Sequence, residues 1–177
     1  GSKISPYDAL IKEEAKRIGW DWKLLAAMIY RESKFVPDSE AWTGASGLMQ
    51  LIPETAERFG ADSLGDPRQN IHAGVSFLQT ISAYWSERLD DSTQVIPFSL
   101  ASYNVGLGHV LDARRLTQKY GGDTASWESV ATYLELKSQP QYYRDEAARH
   151  GYCRGSEPVN YVRNIMMLWE HYQNTPI

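Results

Sequence analysis

The sequence predicts an all-α fold, and three observations carry that expectation. Apolar residues recur at helical spacing along nearly the whole chain. No alternating run is long enough to read as a sheet strand, although 152–154 could pair as a short ribbon. Pro, Gly and Asp fall where helices of this spacing would begin and end.

The elements follow in order. Ser5-Pro6 introduces a first helix of about 12 residues that stops at Gly19. Asp21 can cap a second helix that ends before Pro37, because the residue before proline resists the helical region. "WTGASGLMQLIP", from Trp42 to Pro53, is too rich in glycine for a plain helix and reads as a loop with a short helical turn. "PETAERFG" is a short helix with Pro53 in its first turn and Gly60 as its stop. "DPRQN" reads as a turn before a long helix over 71–89. There Ile71, Val75, Leu78, Trp85 and Leu89 form a seam, flanked by Phe77, Ile81 and Tyr84. Pro97 is expected to begin a helix through Asn104, broken at "VGLG", with another following from His109 to Tyr120. Shorter helices are expected over 127–136 and 141–150. A last one starts near Pro158, with Val162, Ile165, Trp169 and Tyr172 turned inward.

At 177 residues and 42% hydrophobic, the chain can bury one good core. Gly1-Ser2 resembles the remnant of a cleaved tag, which leaves residues 3–177 as a single domain, expected to be monomeric. Net charge is −4 with no long basic run, which argues against nucleic acid as a partner. The longest apolar run, Leu24 to Tyr30, is seven residues, far short of the ~20 a membrane span needs. Cys153 is alone, so no intramolecular disulfide forms. His72, His109, His150 and His171 are scattered without companion cysteines, and neither a metal nor an organic cofactor is expected. The charged stretches "DARR" and "RLTQK" read as a solvated helix face. Six Trp and eleven Tyr exceed what a small core usually needs, and surplus aromatics often line grooves.

Glu32 is the sharpest single signal. It continues the stripe Leu25, Met28, Ile29, where another apolar side chain would be expected. The plain reading is a helix-end glutamate that reaches water. The functional reading is a desolvated carboxyl beside the negative end of a helix dipole, with its pKa raised, as a general acid requires. "GASGLMQ", Gly44 to Gln50, would let backbone approach a ligand closely, and Gln50 adds an amide suited to sugar hydroxyls. In "ASYNVGLG" Asn104 is either a helix cap or part of a polar cluster with Tyr103 at a helix end. In "EPVNYVRNI" Tyr161 faces inward, and its hydroxyl then needs a partner, for which Glu32 is a candidate.

Glu32-Ser33, Gly47-Leu48-Met49-Gln50, Tyr103-Asn104 and Tyr161, taken in that order, resemble the motif series of the family 23 lytic transglycosylases, which share the goose-type lysozyme fold. The resemblance covers the chain from about Ser5 to Tyr172 and implies a lysozyme-like architecture. It implies that Glu32 is the catalytic acid and base, with Ser33 supporting it. It makes Met49, Gln50, Tyr103 and Asn104 substrate-binding positions, with Met49 in the groove floor. It places Tyr161 near the catalytic carboxyl and Glu157 as the acidic residue ahead of it. Ser102 departs from the usual alanine before Tyr-Asn, and Pro158 from the usual threonine or alanine after the glutamate.

The implied activity is cleavage of the β-1,4 bond from N-acetylmuramic acid to N-acetylglucosamine in peptidoglycan glycan strands, closing 1,6-anhydro ends. A hydrolase of the goose-type lysozyme kind and a non-catalytic peptidoglycan-binding module are the rivals. Asp38, Glu40 and Glu54 are the nearby candidates for a second carboxylate, and each has a plainer role in a turn or at a helix start. The stretches around "ASYNVGLGHVLDARRLTQ" and "LKSQPQYYRDEAARHGYCRGSEPVNYVRNI" resemble a membrane-bound branch of the family. In that branch the module follows a domain similar to periplasmic solute-binding proteins. The expected location is the periplasm, associated with the outer membrane through other parts of a longer parent chain.

Overall fold

Residues 3–177 are described by a computed structural model, and among them nine α-helices carry the architecture. The proposed tag remnant Gly1-Ser2 lies outside the described residues. The residues gather in two compact units. One takes the chain up to Gln79 together with Asn164–Ile177, and the other is Thr80–Arg163. Helices α4 (Pro67–Ser86) and α9 (Ser156–Gln173) each contribute to both.

The first unit holds α1 (Asp8–Ile18), α2 (Trp22–Ser33) and α3 (Pro53–Arg58). Around the start of α1, the Asp8 carboxylate accepts from the Ile4 and Ser5 amides and from the Ser5 hydroxyl, which explains why Ser5 is buried. Gly19 ends that helix in the left-handed region. Asp21 caps α2 through the Lys23 amide, as the sequence predicts, and its second oxygen accepts from the Trp169 indole. α1 packs against α2, whose residues from Leu24 to Ile29 are all buried.

The second unit holds α5 (Ser92–Val105), α6 (Leu107–Lys119), α7 (Trp127–Leu136) and α8 (Pro140–Tyr143). α6 packs on both α5 and α7. Trp85, from the end of α4, is fully buried against Phe98 with ring centroids 4.9 Å apart. Its indole donates to the Ser102 hydroxyl at 2.9 Å, and Ser102 donates onward to the Phe98 carbonyl. The departure at Ser102 is therefore matched by a partner inside this chain. Ser102→Ala should destabilise the protein by about 1–3 kcal/mol, because it strands a buried indole donor. Chemical denaturation checks this, and Trp85→Phe should cost less in the Ser102→Ala background than in the wild type, because no bonded donor is then lost.

Five expectations need correction. "DPRQN" is the first turn of α4 and not a separate turn, since the Asp66 carboxylate accepts from the Gln69 amide and Pro67 occupies the first helical position. Pro97 lies inside α5 and does not start it. Asp91 begins that helix, accepting from both the amide and the hydroxyl of Thr93. Over 141–150 the helix is limited to Pro140–Tyr143, because the Arg149 and His150 amides point to Asp112 and not to helical carbonyls.

No ribbon forms at 152–154, where the Cys153 amide bonds to the Lys137 carbonyl. Isolated bridges appear instead at Glu40–Ser46 and Ser46–Leu51, in the segment read as a loop with a helical turn. Finally, "DARR" is not wholly a solvated face, because Asp112 has no exposed surface.

Candidate active site

In the first unit, α2 carries the stripe Leu25, Met28, Ile29 with no exposure, and Glu32 continues it half-buried one residue before the helix end. The helix stops because Lys34 and Phe35 both adopt the left-handed region, at φ of 54° and 62°. Ser33 is buried, and its hydroxyl lies 2.8 Å from the Leu48 carbonyl and 3.1 Å from that of Ile29. That single side chain fastens the Gly47–Gln50 loop to the end of the helix that carries Glu32.

The loop has a second anchor. Asn70, fully buried in the first turn of α4, accepts from the Met49 amide at 2.7 Å and donates to the carbonyls of Ser46 and Leu64. Gly47 is required beside it. Its φ is +83°, and a Cβ there would stand 2.0 Å from the Asn70 amide nitrogen. Met49 is fully buried, its sulfur pressed on Gly74, so it holds the loop from below.

Gln50 sits in the left-handed region at φ 50°, and its Nε2 donates to the carbonyls of Ser39 and Gly47, each at 2.9 Å. Because carbonyls only accept, these partners fix the amide orientation, with Oε1 left as the acceptor. Gln50 is therefore both a candidate sugar contact and a brace of its own loop. Gln50→Ala should cost about 1–2 kcal/mol in stability as well as lowering turnover. Parallel melting curves and activity assays check this, and a fall in turnover with an unchanged melting temperature would contradict the bracing role.

In the second unit, Tyr103 is nearly buried and Asn104 exposed in the last turn of α5, just ahead of Gly106. Glu157 is exposed in the first turn of α9, where the dipole favours an anion, and Pro158 is buried beside it. Tyr161 is fully buried, so its ring is inward as expected.

The same unit contains a polar cluster that the sequence reading missed. Asp112 and Lys137 are both fully buried and meet at 2.6 Å. Asp112 also accepts from Arg115 and from the amides of Arg149 and His150. Lys137 donates to His109 Nδ1 at 2.8 Å, so that nitrogen carries no proton. Burial first, then the Lys137 charge, hold the His109 pKa below its ordinary value against the pull of Asp112. A signal existed. Lys137 continues the apolar spacing Val130–Leu134, and Asn70 stands at helical spacing from Phe77, Ile81 and Tyr84 beside the long-helix seam, as Glu32 stands on its own stripe.

Among the described residues no group of three or more His, Cys, Asp or Glu could hold a metal ion, and no helix is long and apolar enough to cross a membrane.

The fold and these motifs define a class. Residues 9–126 match the family described as the Transglycosylase SLT domain, and the chain belongs to that family. More particularly, it is 42% identical to membrane-bound lytic murein transglycosylase F of Maricaulis maris, over 93% of this chain and 35% of that protein. It is 39% identical to the protein of the same name from Cellvibrio japonicus, over 98% of this chain and 35% of that one. The chain thus spans about a third of the length of these relatives.

Among solved structures, an inactive mutant of the lytic transglycosylase Slt from Pseudomonas aeruginosa superposes with a TM-score of 0.65 at 22% identity, covering 97% of this chain and 25% of that one. The 70 kDa soluble lytic transglycosylase of Escherichia coli does so with 0.63 at 23%, covering 95% and 24%. The fold is accordingly all-α and lysozyme-like.

Proposed function

We propose that this chain is the catalytic module of a lytic transglycosylase that cleaves peptidoglycan glycan strands between N-acetylmuramic acid and N-acetylglucosamine. The observation that carries the reading is Glu32 at the end of an apolar helix stripe, with the Gly47–Gln50 loop fastened to the next residue. The names of the relatives support it.

Glu32, protonated, donates to the glycosidic oxygen as the C1–O bond breaks. The muramoyl acetamido oxygen stabilises the cationic C1. Glu32, now a carboxylate, takes the C6 hydroxyl proton as O6 bonds to C1, which closes the 1,6-anhydro ring and restores the acid. Asp38, Glu40 and Glu54 are exposed, and Glu54 lies in the first turn of α3, so none has the setting of a protein nucleophile. An acceptor on the substrate itself outcompetes water through its effective concentration. Gln50 Oε1, Tyr103 and Asn104 are assigned substrate contacts, with Met49 beneath the loop. Tyr161 and Glu157 keep the supporting roles that the family resemblance implies.

The test is digestion of purified sacculi in ¹⁸O-labelled water. Anhydromuramoyl ends without label are expected, and substantial label at new reducing ends would make the protein a hydrolase. Such a substrate places the module on the periplasmic side of the envelope. The relatives' greater length and membrane-bound description fit a parent chain with further parts, an N-terminal solute-binding-like domain among them.

A further inference from the structure

Trp42 is 98% exposed, the most exposed of the large hydrophobic side chains. The other tryptophans of the chain are buried or half-buried. Trp85 and Trp169 have partners for their indole N–H, Trp127 packs on Phe98, and Trp22 lies under Lys12. Among the described residues Trp42 makes no hydrogen bond and no ring contact, so none of them requires an indole there.

Its backbone is nevertheless firmly held. Trp42 and Thr43 are the corner of a β-turn closed by the Gly44 amide on the Ala41 carbonyl at 3.0 Å. Behind it, the Ala41 amide bonds to Ala45, and the bridges Glu40–Ser46 and Ser46–Leu51 form the base. Ser39 accepts from both the Gly47 amide and the Gln50 side chain. The turn is thus in fixed register with the loop that Ser33 and Asn70 anchor. Val36 and Ile52, on segments bonded to the same base, are also exposed. A rigid turn therefore presents a large flat apolar ring to solvent, next to a polar amide loop. Such a ring contributes contact area at little conformational cost.

We propose that Trp42 is a stacking platform for a pyranose ring of the glycan strand, adding a sugar contact beside the Gly47–Gln50 loop. This rests on the peptidoglycan reading above. The apolar face of a pyranose, made of axial C–H groups, fits an exposed indole, and the hydroxyls around its rim stay in water. Stacking of this kind reads the sugar and not the peptide stem, so it should operate equally on stem-free glycan.

The test uses sacculus co-sedimentation in the Glu32→Gln background, where the polymer is not consumed. Trp42→Ala should weaken binding about tenfold, and Trp42→Phe should stay within about threefold. The melting temperature should be unchanged in both, since the side chain packs on nothing. Amidase-stripped glycan strands should show the same loss. Sacculus binding by Trp42→Ala within twofold of its parent would overturn the proposal. So would a loss confined to anionic phospholipid vesicles, which would make the residue a lipid contact. If the wild type fails to cleave sacculi yet Trp42→Ala still lowers binding, the enzymatic reading fails and the stacking contact stands.

Discussion

Glu32→Gln is expected to abolish nearly all turnover on sacculi, by about 10²–10⁴-fold, while leaving the fold intact. The amide is nearly isosteric with the carboxyl. The packing that holds this end of α2 comes from the buried stripe before it and from Ser33 after it. An amide cannot cycle a proton, so both halves of the proposed reaction fail together. The measurement is release of soluble muropeptides, read beside a melting curve. More than half of wild-type turnover with a normal melting temperature would remove Glu32 from the acid and base role.

Lys137→Met should have the largest effect on stability. Asp112 would remain fully buried without the buried ammonium it meets at 2.6 Å, keeping only the part-exposed Arg115 as a countercharge, and breaking a buried pair typically costs about 3–5 kcal/mol. For a chain of this size that corresponds to a fall in melting temperature of roughly 6–20 °C. Replacing Asp112 as well should not rescue it, unlike a simple ion pair, because Asp112 also satisfies the Arg149 and His150 amides.

The cluster also predicts an acid limit. Burial pushes the Asp112 carboxyl up, but the Lys137 hydrogen bond, the His150 and Arg149 amides and the Lys137 charge outweigh it and hold the pKa below the ordinary 3.8. A group depressed in the folded state contributes stability that is full above its unfolded value and lost as pH falls through the folded one. Unfolding free energy should therefore drop below about pH 4 in the wild type. A Lys137→Met protein with wild-type stability across that range would show that the pair contributes nothing.

Much of this was legible in the sequence because it depends on local chemistry. Asp21 capping α2, Gly19 and Gly60 ending helices, the buried seam from Ile71 to Trp85 (the helix stops at Ser86, short of Leu89) and the inward ring of Tyr161 all follow from spacing and backbone preference. The placement of Glu32 on a buried stripe was legible for the same reason. Helix starts at Pro67 and Ser92 were missed where a proline drew attention from the aspartate before it, Asp66 in one case and Asp91 in the other.

What tertiary structure decided lies in contacts between residues far apart in the chain. Asn70 reaches back 24 residues to Ser46, and Ser33 forward 15 to Leu48, and neither partner is marked by any local pattern. Asp112 looks like an ordinary surface charge and Lys137 is marked only by its spacing, until the fold brings the two together from 25 residues apart and removes water from both. Helical periodicity reports which side of a helix faces inward. It does not report which polar group waits there, and that partner decides whether a buried polar side chain is an error, a brace or a catalyst.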